Sequence, residues 1–223
     1  ELLEKFNVQL APIPMPELTR EMAKAKAEGV EVPKTISYCR SCMKIEITDK
    51  ELENVAALKV AMKNLCEKYG CKAVAIQCWN ELQNEIGIMP CAANSLLNEE
   101  GIPCVCETDI HGAITALMME AASREDKRSF FADWTVRHPD NENGELLQHC
   151  GPWPISVAKE MPSITYPLAF DHPGAVAAEA KHGEVTLARF DGDNGEYSLL
   201  LGNAKGIDGP YTMGTYLWVE VEN

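Results

Sequence analysis

No basic cluster occurs anywhere in these 223 residues: 20 Lys and Arg stand against 34 Asp and Glu, a formal charge of −14. Nucleic acids and anionic membrane surfaces are bound by neutralising phosphate with Lys and Arg, so the sequence predicts neither as a partner. Long apolar runs are also lacking, and no signal peptide is read at the start, which excludes a helical membrane span from the expectation. A G-x-G-x-x-G loop is missing, so a phosphate-binding loop has no support. Only one C-x-x-C occurs, Cys39-Arg40-Ser41-Cys42, without the second pair that a zinc site needs. There is no internal repeat and no low-complexity tract.

What is present fits a soluble globular chain, with 46% hydrophobic and 24% charged residues. The nine cysteines are an odd number, and Cys66, Cys78, Cys104 and Cys106 lie within apolar segments. That distribution suits buried thiols in a reducing compartment, hence a cytoplasmic protein. The chain opens on Glu1 within an uncapped amphipathic segment and ends on the strand-like Tyr216–Val221, with nothing after it to close a sheet. A fragment of a longer protein is the expectation.

Pattern and punctuation predict an α/β fold: a Rossmann-like parallel-sheet part over 1–103, then a β-rich part over 104–223 built as an antiparallel sheet or barrel. Expected helices are Thr19–Glu28, with Thr19 as N-cap and Gly29 as C′, and Lys50–Tyr69, capped by Thr48 or Asp49 and ended by Gly70. Val8–Leu10 reads as a short strand. Buried strands are expected at Lys72–Gln77 and Cys104–Cys106, with helices around Cys91–Leu96 and Ala113–Ala122. Further on, Phe130–Thr135, Leu146–Cys150, Val185–Phe190, Tyr197–Gly202 and Gly214–Val221 read as strands between Gly, Asn and Asp turns.

Two buried runs each deliver a carboxylate into the following loop, Glu81 and Asp109, and the carboxyl ends of strands are where α/β sheets build sites. Solvated loop charges are the commoner fate of such residues, and Glu85, Glu99 and Glu100 are assigned to it. Glu107 is placed as an orienting residue behind a ligand carboxylate. His149 precedes Cys150-Gly151-Pro152; a satisfied structural histidine is the default and ligand contact the second reading. Asp133-Trp134 at a strand end is a candidate contact for a polar ligand, although packing is the usual role of such a tryptophan. The remaining histidines have no paired spacing and read as surface residues.

In these segments the chain resembles the L-fucose isomerase family within the fucose/arabinose isomerase superfamily. The resemblance is carried by Cys78-Trp79-Asn80-Glu81, Pro90–Asn98, Gly101-Ile102-Pro103, Cys106–Asp109 with Gly112-Ala113, Phe131-Ala132-Asp133 and His149-Cys150-Gly151, over about residues 70–155. It implies an oligomeric aldose–ketose isomerase using a divalent metal, usually Mn²⁺, held by a Glu, an Asp and a His. The resemblance gives the metal and proton-transfer roles to Glu81 and Asp109, the third ligand to a His beyond residue 223, and sugar contact to Trp79, Asp133 and His149. A hard cation with oxygen and imidazole ligands suits that chemistry, because it stabilises enediolate charge while carboxylates move the proton. A non-catalytic sugar-binding module on the same fold is the competing expectation.

Overall fold

The computed structural model describes residues 1–124, 126–167 and 172–222. Helices α1 (Leu2–Phe6), α2 (Met15–Glu28) and α3 (Glu31–Cys42) come first, followed by strand β1 (Lys44–Ile45) and helix α4 (Asp49–Tyr69). Next are β2 (Val74–Ala75), α5 (Glu81–Ile86), α6 (Cys91–Glu99), β3 (Cys104–Val105) and α7 (Ile110–Ala122). The remainder is β4 (Asp133–Arg137), β5 (Gly144–His149), a 3₁₀ turn (Ile155–Val157), β6 (Ser163–Thr165), β7 (Ala175–Glu179), β8 (Glu184–Asp193), β9 (Glu196–Ile207) and β10 (Thr215–Val221).

Helix α4 is the hub of the helical half, and its ends follow directly from sequence. Thr48 Oγ1 accepts from the Glu51 N–H, and the Glu51 carboxylate accepts from the Thr48 N–H, a reciprocal capping box. Gly70 stops the helix in the left-handed region at φ 67°, donating its N–H to the Cys66 and Glu67 carbonyls. Between these caps Leu52, Val55, Ala56, Leu58 and Ala61 are fully buried, packed among α2, α3 and α6.

Two local expectations change, and the C-x-x-C keeps its reading as ordinary thiols. Helix α2 begins at Met15 rather than after Thr19, with Pro14 as N-cap and Pro16 in the first turn, where a missing N–H costs nothing. Val8–Leu10 forms no strand. The single C-x-x-C lies at the end of α3, where both thiols are free. Burial pushes the Cys39 thiol up to about 12, so it is an inert packed thiol.

The architecture is mixed α/β with a mixed sheet. Among the described residues, eight strands form one sheet with the path β1-β6-β7-β10-β5-β4, and β9 links β8 to β10. β1–β6 and β7–β10 are parallel; β6–β7, β10–β5, β10–β9, β5–β4 and β8–β9 are antiparallel. The strand read as having nothing to close a sheet, β10, is interior: β5 lies on one side, β7 and then β9 on the other. β2 and β3 make a separate parallel pair with α5 and α6 between them in sequence, pairing Val74 with Cys104. Pairing and packing both cross residue 103, since β1 pairs β6 and Ile155, Ile164 and Val176 share the helical core. No helix among the described residues is long and apolar enough to cross a membrane.

Candidate active site

The site is built where β2 and β3 end. After β3 the chain turns back onto its neighbour: the Thr108 N–H donates to the Ile76 carbonyl, and the Asp109 N–H to that of Cys106. Making this turn places Glu107 at φ 64° and Thr108 at φ 56°. After β2, Asn80 takes φ 55° and ψ −82°, near the rare γ-turn region. Non-glycine residues seldom adopt positive φ, and each costs on the order of 1–3 kcal/mol, so strain gathers at these two strand ends.

The turn projects Glu107 toward Asp133 and His149, whose potential ligand atoms lie within 4.8 Å of one another. Asp133 opens β4 and His149 closes β5; Asp133 is in register with Gln148, which brings the two side by side. The approach to Asp133 is clamped, with the Phe131 N–H donating to the Pro152 carbonyl and the Trp153 indole donating to the Phe131 carbonyl at 2.8 Å. His149 is fixed from below by Thr215, whose hydroxyl donates to the carbonyls of His149 and Gly151. Its ring meets Phe131 edge-on, 5.2 Å between centroids.

Electrostatics sort the three groups. Desolvation lowers the basicity of His149, and the neighbouring Asp133 and Glu107 only partly oppose this. The imidazole is therefore held neutral, in its ligand form. Its Nδ1 is buried and has no hydrogen-bond partner among the described residues. Asp133 moves the other way: desolvation around its carboxyl raises the pKa, His149 lowers it, and Glu107 raises it further. Two carboxylates and an imidazole nitrogen make an oxygen-and-nitrogen donor set that fits a divalent cation.

Glu81 and Asp109, the pair expected from sequence, belong to neither group of three or more clustered donors among the described residues. Glu81 is the exposed first residue of α5. Asp109 is the N-cap of α7: its Oδ1 accepts from the Gly112 N–H at 2.8 Å, and its Oδ2 pairs with the Arg189 guanidinium. Arg189 also faces Asp191 at 3.7 Å, and Asp191 lies 3.2 Å from His111 Nδ1. Glu107, expected as an orienting residue, instead stands in the cluster, together with two residues expected to touch sugar. Trp79 donates its indole N–H to Glu107 Oε1 at 3.2 Å. The second clustered group, Glu179, His182 and Asp208, sits where Lys159 also bonds Glu179.

No family model matches the chain. It is 27% identical over 218 residues to a protein named sulfoquinovose isomerase from Alkalicoccus urumqiensis, covering 94% of this chain and 47% of that protein. Proteins of the same name from Priestia aryabhattai and from Clostridium sp. (strain MSTE9) are 29% and 30% identical over 180 and 172 residues. Those alignments cover 78% and 71% of this chain and 39% and 35% of the relatives. The chain thus spans less than half the length of these curated relatives, and what it is similar to is a sugar isomerase.

Proposed function

We propose that this chain carries the acid–base centre of an aldose–ketose isomerase, with Glu107, Asp133 and His149 as its working groups. The observation that supports this most is their convergence at the ends of β3, β4 and β5, with the His149 Nδ1 left without a partner. The similarity to proteins named sulfoquinovose isomerase, and the resemblance to L-fucose isomerases, give the reaction class. In this reading the metal roles pass from Glu81 and Asp109 to the clustered residues, and no His beyond residue 223 is needed to complete a three-donor set.

Isomerisation takes a proton from the carbon next to a carbonyl and returns it to the neighbouring carbon. A carboxylate placed beside the C1–C2 bond accepts that proton and returns it to the neighbouring carbon, while a second carboxyl gives a proton to one sugar oxygen and takes one back from the other. Glu107 fits the first role. Asp133, which faces Glu107 and His149 in the same cluster, fits the second. His149, neutral and buried, offers a nitrogen lone pair to a cation between the carboxylates. A divalent ion such as Mn²⁺, when bound, supplies electrostatic stabilisation of the developing enediolate charge. The half-exposed ring of Trp79 borders this cluster through Glu107 and offers an apolar face to a sugar. Cytoplasmic location and assembly as a homo-oligomer belong to the same proposal.

The test is an isomerase assay with Mn²⁺, supplying sulfoquinovose and L-fucose separately, on the protein and its Glu107→Gln variant. Ketose formation abolished by Glu107→Gln supports the proposal. Binding of sugar without turnover would leave a non-catalytic sugar-binding module instead.

A further inference from the structure

Trp79 donates its indole N–H to the Glu107 carboxylate at 3.2 Å. It stands at the end of the β2 segment, and the residue after it, Asn80, takes the strained γ-like conformation that starts α5. Glu107 is strained as well, at φ 64°, and so is Thr108. Two strained strand ends, which meet through the Trp79–Glu107 hydrogen bond, cost free energy that simple packing would not require.

We propose that Trp79 is a positioning residue: its indole N–H holds Glu107 Oε1, so that Oε2 is presented to a divalent cation shared with Asp133 and His149. The inference rests on the metal-isomerase reading above and deepens it. A glutamate has three side-chain torsions, and a carboxylate left to rotate offers a cation a different oxygen in each rotamer. One fixed donor on one oxygen removes that freedom, which is the role partners of ligating carboxylates play in metal sites. An indole suits this task because its N–H is a donor only and cannot compete with the carboxylate for the cation. The same ring is 42% exposed while its indole N–H is committed to Glu107.

The experiment is Mn²⁺ titration by calorimetry on the unmodified chain and on Trp79→Phe, Trp79→His and Glu107→Gln, with thermal melts of each metal-free protein. Trp79→Phe keeps an aromatic ring and loses the donor, so Mn²⁺ affinity falls about 10- to 100-fold while the metal-free melting temperature stays near that of the parent. Trp79→His restores an N–H and recovers part of the affinity, which a purely structural role for the ring would not give. Equal Mn²⁺ affinity in the parent and Trp79→Phe, with Glu107→Gln weakened, would overturn the positioning role and leave the metal centre standing. Equal affinity in the parent and Glu107→Gln, or no Mn²⁺ binding by the parent, would overturn both.

Discussion

Arg189 on β8 closes an ion pair with Asp109 at the N-cap of α7, joining the long β8–β9 hairpin to the helix that follows the site turn. The Asp109 carboxylate is thereby committed on both oxygens, one to the helix N-terminus and one to the guanidinium. Asparagine caps a helix as well as aspartate, whereas alanine does not, and losing a cap costs about 1 kcal/mol. Asp109→Ala is therefore expected to lower unfolding free energy by about 1–2 kcal/mol once the weakened Arg189 pair is included. Asp109→Asn costs less and leaves Mn²⁺ affinity unchanged. Denaturant unfolding and calorimetry on both variants check this; lost Mn²⁺ binding in Asp109→Asn would return Asp109 to the metal site.

The site is legible in the sequence only as single residues. Each of Glu107, Asp133 and His149 stands out singly, as a carboxylate after a buried run, an Asp at a strand start and a His before Gly-Pro. Their meeting is not visible, because it depends on the β4–β5 register and on the left-handed turn at Glu107 and Thr108. Neither residue is a glycine, so nothing in the sequence marks that turn. The resemblance gives Asp109 a ligand role, whereas in the structure its Oδ1 accepts from the Gly112 N–H three residues on and caps α7.

The fold divides in a similar way. Thr48 with Glu51 and the closing Gly70 announce α4, and Asp191–Gly195 announces the β8–β9 turn, because caps and turns are local chemistry. Helix α3, with Pro33 in its first turn, and the short β1, β6 and β7 carry little periodicity. The interior position of β10 is set by three partners far away in sequence.

A pH-dependent contribution to stability is expected from Glu100. Burial opposes ionisation, but hydrogen bonds from Lys59 and Lys63 prevail and hold its carboxyl below the usual range. A group with a depressed folded pKa stabilises above its unfolded pKa, and this contribution disappears as pH falls through the folded value. Glu100→Gln leaves the buried Lys59 ammonium without its anion, a cost of about 1–2 kcal/mol at pH 7 after discounting for the 38% exposure of Glu100. Melts at pH 7 and at successively lower pH check the sign: the two proteins differ at pH 7 and converge as pH falls through the depressed folded value.

Gly151 ties the site to α6. A Cβ built there would overlap the Cβ and backbone of Cys91 at the start of that helix. Gly151→Ala is expected to destabilise by about 1–3 kcal/mol, as overpacking does, and to displace the His149 segment two residues before it. Thermal unfolding and Mn²⁺ affinity, both lowered, are the readouts; an unchanged melting temperature would contradict the close approach.

The most direct measurement is Mn²⁺ titration of the unmodified chain against its Asp133→Asn and His149→Gln variants. Saturable 1:1 binding, weakened at least tenfold by either substitution while each variant remains folded by circular dichroism, is the predicted result. Binding of equal strength in all three would contradict a metal-holding centre at Glu107, Asp133 and His149.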